Sequence, residues 1–212
     1  LFRGADDGYL ITDKKFAGSD TLATSYAISL AAKKLAPFDI LMCGRQAIDG
    51  DTAQVGPQVA EKIDIPQVTY AEEIEKIEKG KITIKRRLER GVETVECPMP
   101  LLVTVHGSAP DCRARNAKFL LRYKHAKTWT ERQQDTEDYI QLSEDRPYLD
   151  IREWSVDDLN ADETYLGLSG SPTKVKKVFN VVFTAKEAKV LGDTDAEMDD
   201  LMKELIENHN IG

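Results

Sequence analysis

FDILMCGRQAIDGDTAQVGP, Phe38 to Pro57, sets an apolar run directly before a loop holding Asp49, Gly50, Asp51, Thr52, Gln54 and Gly56. Residues 38–43 read as a strand that is apolar on both faces except at its first positions. Such strands belong to parallel sheets covered on both sides. Ahead of it, Ser19 or Asp20 is placed to cap a helix in which Leu22, Tyr26 and Leu30 recur every four residues. That period is helical, and the flanking Ala23, Ala27 and Ala31 permit close packing on a sheet. Lys33 and Lys34 suit the negative end of its dipole. Beyond the loop, Val55, Val59 and Ile63 predict a second short helix, and Pro66 to Tyr70 another strand. With Tyr9 to Thr12 as an opening strand, the order strand, helix, strand, helix, strand predicts an α/β fold with a doubly wound, mostly parallel sheet.

The middle of the chain changes character. Residues 72–97 are charged and β-rich, with turn signals at Lys79-Gly80 and Arg90-Gly91. Ile82 and Ile84 alternate with polar residues, which predicts an antiparallel meander added to the sheet edge with its charges solvated. Pro100 to Val105 returns to a buried strand. The nucleotide-type core is therefore expected over 1–106. Residues 107–192 are largely irregular, with only short elements such as Ser155 to Leu159, and are expected to wrap a partner as a docking segment and arm. Over 193–212, Thr194 to Glu197 forms a capping box, and Met198, Leu201, Met202, Leu205 and Ile206 make one apolar stripe. That stripe needs a surface, in its own domain or in another subunit.

Composition narrows the function. The 212 residues carry 29 basic and 37 acidic side chains, a net charge of −8, which argues against a nucleic-acid groove because phosphate backbones want a basic stripe. No apolar run approaches the roughly 20 residues of a membrane span. No secretory leader is read, and a cytoplasmic location is expected. The chain opens on Leu1 without Met and is expected to be part of a longer polypeptide. Cys43, Cys97 and Cys112 are far apart, without a CxxC pair, and His106, His125 and His209 have no ligand spacing. Neither a metal site nor a disulfide framework is expected.

The loop carries the chemistry. At the carboxyl end of a parallel strand, beside a helix N-terminus, backbone N–H groups point outward unpaired and favour phosphate. Two capping schemes fit: Asp51 with Gln54 at the third position, or Gly56 with Pro57 at the first. In either, the N–H groups of about Thr52 to Gly56 face the crevice, Gly50 and Gly56 allow close backbone approach, and Thr52 and Gln54 add neutral donors. Asp49 and Asp51 repel phosphate, so capping, bracing Arg45 or accepting from a ribose hydroxyl suits them better. Capping alone would also explain a loop rich in Gly, Asp and Thr. A cation loop lacks the alternating ligands that calcium needs, and Cys43 at a strand end reads as core rather than nucleophile.

At this loop the sequence resembles the β subunit of electron transfer flavoprotein. GRQAIDGDTAQVGP matches that family's nucleotide loop almost residue for residue, and residues 16–35 resemble its preceding helix. A second motif, Ile84 to Thr104, matches at Arg86, Glu89, Gly91, Glu93 and Pro100 to Thr104 and departs at Arg90. GLSGSPTKVKKVF, 167–179, is similar to a third. The resemblance implies a Rossmann-like, adenine-nucleotide-binding fold with the nucleotide lined by Cys43, Gly44, Asp51, Thr52, Ala53, Gln54, Val55, Gly56, Pro57 and Gln58. In simple electron carriers of the family that nucleotide is AMP; in flavin-bifurcating members it is a second FAD, which DGDTAQVGP resembles more. The bifurcating reading implies NADH as donor, ferredoxin or flavodoxin and an acyl-CoA dehydrogenase as acceptors, and an α subunit as heterodimer partner. The resemblance also implies a dehydrogenase-docking region at Cys112 to Trp129, where Arg113, Arg115, Lys118, Arg122 and Lys124 surround Leu120 and Leu121. The rivals are an ATP-using transferase or ligase on a related fold and a subunit with an empty pocket.

Overall fold

The computed structural model describes residues 1–48, 50–134, 146–174 and 190–207. The chain runs through β1 (Tyr9–Ile11), α1 (Thr21–Leu35), β2 (Ile40–Gly44), α2 (Val55–Ile63), β3 (Gln67–Glu78), β4 (Lys81–Leu88), β5 (Gly91–Pro98), β6 (Leu101–Val105), α3 (Ala117–Tyr123), β7 (Lys127–Thr128), α4 (Trp129–Gln134), β8 (Asp150–Trp154) and α5 (Asp195–Glu207). Residues 1–174 form one compact unit and 175–212 another, which contains α5. The α/β class, with parallel strands and an antiparallel addition, is the one expected from the sequence.

The main sheet has the order β2-β6-β3-β4-β5. Its first three strands are parallel, with β2 and β6 in register from Ile40↔Leu101 to Gly44↔Val105. The meander β3-β4-β5 then runs antiparallel. A second sheet, β1-β8-β7, is parallel throughout. The strand at Tyr9 therefore does not join the main sheet, as the simple order of elements predicts. It pairs with β8, a partner so remote in the chain that no local pattern marks it.

Helix α2 covers one face of the main sheet. Val59, Ala60 and Leu102 form a buried cluster there, with Ile28 of α1 packed against it. The opposite face gathers Val68, Ala71, Ile82, Ile84, Cys97, Leu101 and Val103, all from strands. The meander is thus core rather than edge decoration: Ile82 and Ile84 are 1% and 0% exposed. Two register shifts along β3 explain how, since bulges bend a strand and increase its twist. Apart from the buried Glu72, its lysines and glutamates lie toward the outside in exposed pairs such as Lys81–Glu96, which contribute little to stability.

Helix α1 is packed on two opposite sides. Ala23, Ala27 and Ala31 lie on one, and Ser25, Ser29 and Ala32 on the other; all are buried. Ala27 meets Val156 and Leu166, so small residues, not the Leu22 stripe, make the close contacts; Leu22 is 40% exposed. The two buried serines return their hydroxyls to the carbonyls of Leu22 and Tyr26, which removes the desolvation cost.

Asp20 caps α1 by accepting from the N–H groups of Leu22 and Ala23, and its other oxygen accepts from Thr173 N and Oγ1. Partial burial pulls its pKa upward, but the bonds from Thr173, Ala23 and Leu22 outweigh that and leave it below the usual carboxylate value. A depressed pKa contributes stability above the unfolded value, near pH 4, and loses it as pH falls toward the folded one. Asp20→Ala is expected to cost about 1–2 kcal/mol near neutral pH. The melting-temperature gap to wild type should close as the buffer is taken from about pH 6 to about pH 3. A gap that does not change with pH would show that the carboxylate's charge contributes nothing.

Candidate functional site: the carboxyl edge of the parallel strands

Strands β2 and β6 end together, with Gly44 opposite Val105, while β3 runs on past that edge to Glu78; the chain leaves β2 there before α2 turns back across the sheet. The first turn of α2 rests on β6. A Cβ placed on Gly56 would lie 2.6 Å from Thr104 Cγ2, 3.5 Å from Leu102 Cδ2 and 3.7 Å from Cys43 Cβ. Gly56 is therefore required by helix–sheet contact, a reason different from the close ligand approach read from the sequence. Around Gly50 and Gly44 an added Cβ would meet nothing within 4 Å.

Neither capping scheme occurs. Gln54 is the N-cap, with αR backbone and no side-chain cap bond, and Pro57 is the third helical residue. Asp51 does not cap: its Oδ1 accepts from Gln46 Nε2 at 2.5 Å, and its N–H donates to Ala47 O at 3.1 Å. Asp51 and Ala53 have φ of 50° and 53°, the left-handed region that costs a residue with a Cβ roughly 1–2 kcal/mol. Such backbone persists only where its surroundings enforce it, and it collects at binding sites. Asp49 lies outside the described residues.

The result is a run of open donors. Among the described residues, no acceptor meets the N–H groups of Thr52, Ala53, Gln54, Val55 or Gly56. Thr52 and Gln54 are exposed, Ala53, Val55, Pro57 and Gln58 half-buried. Thr21 Oγ1 donates to Gln54 Oε1 at 2.9 Å, tying the start of α1 to the start of α2. Gln58 Oε1 is buried without a hydrogen-bond partner. Burial pushes the Cys43 thiol above its usual range, so it stays protonated at neutral pH. Together these groups can bind an anion by backbone donors and the positive helix end, with no nucleophile or acid–base pair among them. Thr21 and Thr104 escape a reading of the sequence, because their partners are set by helix and strand pairing.

Two cavities lie away from this loop. One of about 390 Å³ is lined by Leu1, Phe2, Arg3, Arg115, Tyr123, Ala126 and Ile151. Another, about 290 Å³, sits at the amino edge of the sheet between Phe38, Ile63, Ile65 and Pro100.

The predicted docking residues fall on and just before α3. Asn116 caps this helix by accepting from the N–H groups of Lys118 and Phe119. Arg113, Arg115, Lys118, Arg122 and Lys124 are exposed, Leu120 is half-buried, and Leu121 is 77% exposed. Arg122 lies over the Tyr148 ring at 4.5 Å from its centroid. On α5, Thr194 and Glu197 form the expected capping pair, and Met198, Met202 and Ile206 are exposed. No helix among the described residues is long and apolar enough to cross a membrane.

Residues 1–120 match the family model described as the electron transfer flavoprotein domain. Over 185 residues the chain is 42% identical to the electron transfer flavoprotein subunit beta of Megasphaera elsdenii, covering 84% of this chain and 60% of that one. It is 37% identical over 211 residues to the acryloyl-CoA reductase electron transfer subunit gamma of Anaerotignum propionicum, covering 98% and 72%. To the caffeyl-CoA reductase-Etf complex subunit CarD of Acetobacterium woodii it is 34% identical over 212 residues, covering 100% and 72%. The chain spans 58% to 63% of the length of the three subunit-beta relatives.

Proposed function

The chain belongs to the electron transfer flavoprotein family, and we propose that it serves as a β-type subunit holding FAD along Asp51–Gln58, with Cys43 and Gly44 behind. The observation that carries this reading is the row of open N–H groups from Thr52 to Gly56 at the carboxyl edge of the parallel strands. A pyrophosphate supplies the acceptors those donors lack. Asp51, turned aside by Gln46, leaves the donors free of a competing carboxylate. FAD in such a subunit would supply hydride acceptance from NADH and one-electron transfer onward to ferredoxin or flavodoxin and to an acyl-CoA dehydrogenase. The protein's part is to position the nucleotide and set its electrostatics.

The relatives named for acryloyl-CoA and caffeyl-CoA reductase complexes support a role beside a CoA-ester enzyme. In this reading Leu121, ringed by Arg113, Arg115, Lys118, Arg122 and Lys124, anchors that dehydrogenase. A basic rim around an apolar anchor steers encounter and then holds it. The apolar face of α5 packs on the α subunit of the heterodimer.

The test is to purify the protein with its α-type partner, release the bound nucleotides and count them. Two FAD per heterodimer are expected. One FAD and one AMP would put AMP against Thr52–Gly56 and make the protein a simple electron carrier. Recovery of neither nucleotide would leave only a scaffold.

A further inference from the structure

A second group of polar side chains stands at the same edge. Side chains alternate along β6, with Leu102 on the α2 face and Leu101 and Val103 on the other. Thr104 shares the α2 face, where its methyl seats Gly56. The ladder continues one residue past β6, for the His106 N–H donates to Ala71 O at 2.9 Å. His106 therefore falls on the Thr104 face, two residues and about 6–7 Å further along the strand. That position lies past Thr104, the residue on which the first turn of α2 rests. The imidazole meets the Tyr70 ring edge-on, with centroids 6.1 Å apart.

A chain of hydrogen bonds holds the ring. His106 Nδ1 lies 2.7 Å from Ser108 Oγ and 3.1 Å from Ser108 N. Ser108 Oγ donates to Glu72 Oε1, and Arg87 Nε donates to the same oxygen. The bond from Ser108, then that from Arg87, hold the Glu72 carboxyl below its usual range, so the carboxylate takes the only hydrogen on Ser108 Oγ. A neutral ring accepts the Ser108 N–H at Nδ1 but turns a lone pair toward Oγ. A protonated ring donates from Nδ1 to Oγ but opposes the Ser108 N–H. Among the described residues Nε2 has no partner, and in the tautomer whose Nδ1 accepts the Ser108 N–H it carries the neutral ring's hydrogen. The charged and titratable groups around this chain are Glu72 and Tyr70 from β3, Arg87 and Lys85 from β4, the Cys43 thiol of β2 and the positive end of α2.

We propose that His106 contacts the ligand in the nucleotide crevice, donating from Nε2 to its phosphates, and that Ser108 and Glu72 make phosphate binding proton-linked. The proposal rests on the nucleotide reading above. A protonated ring adds a cation beside the helix end, so affinity rises as pH falls through the titration of the ring. By linkage, bound phosphate favours the protonated ring in return.

The probe is ADP-ribose, whose pyrophosphate keeps its charge across the range of histidine titration, added to the protein in a calorimeter at about pH 8 and about pH 5.5. Wild type is expected to bind about tenfold more tightly at the lower pH, as a charge-assisted contact replaces a neutral one. His106→Gln should bind with no pH dependence, and Ser108→Ala should shift the midpoint. In wild type, the His106 ring followed by NMR should titrate about one pH unit higher with ADP-ribose bound. That readout decides the matter even if a variant folds poorly. Equal slopes in wild type and His106→Gln, or a ring titration that ADP-ribose does not move, would overturn the assignment of His106 and leave the nucleotide site standing. Failure of ADP-ribose to bind at either pH would overturn both.

Discussion

Replacing Ile84 by alanine is expected to destabilise the protein by about 3 kcal/mol, within the usual 2–5 kcal/mol for removing a buried aliphatic side chain. Ile84 is 0% exposed and packs with Val68, Ile82, Leu101 and Val103. The cavity left behind cannot collapse easily, because strands rather than mobile loops line it. For a chain of this size the melting temperature should fall by roughly 6–12 °C. The control is Ile77→Ala on β3: Ile77 is 59% exposed, and its loss should stay within about 0.5 kcal/mol. Were the meander only an edge decoration, both substitutions would be equally mild. Thermal or denaturant unfolding of the two variants separates the cases.

Gly56→Ala is expected to cost about 1–3 kcal/mol and to weaken nucleotide retention as well. The added methyl would sit 2.6 Å from Thr104 Cγ2, too close for a packed interior, so α2 must lift at its first turn. Lifting that turn moves the open N–H groups, so stability and binding should fall together. Thr104→Ser in the same protein removes the clashing methyl and keeps the hydroxyl that accepts from Tyr70 N at 3.1 Å. The double variant should recover about 1 kcal/mol relative to Gly56→Ala alone, a coupling expected of residues in contact. Gly50→Ala, with open space around it, should be near neutral. A double variant no better than the single one would show that Thr104 is not the seat of the helix.

Much of the site can be read from residues adjacent in the chain. The strand read at 38–43 and the helix starting near Val55 are short-range patterns, and the structure has them as Ile40–Gly44 and Val55–Ile63. The cap was less legible. Asp51 and Gly56 are both good capping residues by type, yet Gln54 occupies the position. The left-handed turns at Asp51 and Ala53 shift the helix start, and nothing in an alanine announces a positive φ. In the second motif, Arg86 and Glu93 stand opposite each other on β4 and β5, so the seven-residue spacing reflects a cross-strand pair around the turn.

The features legible in the chain alone are local: helical and strand periods, a cap at Ser19 or Asp20, the Thr194 cap, the turns at 79–80 and 90–91, and the family to which its motifs point. These depend on backbone preferences and on neighbours within a few residues, which any stretch of chain carries with it. The tertiary structure alone decided that β1 pairs with β8 and that Ile82 and Ile84 are core. It alone set Gly56 against Thr104 and brought His106 to Glu72 through Ser108. Each of these is a contact between segments brought together by sheet pairing. The order of residues along one segment does not say which partner strand will lie beside it, or in which register.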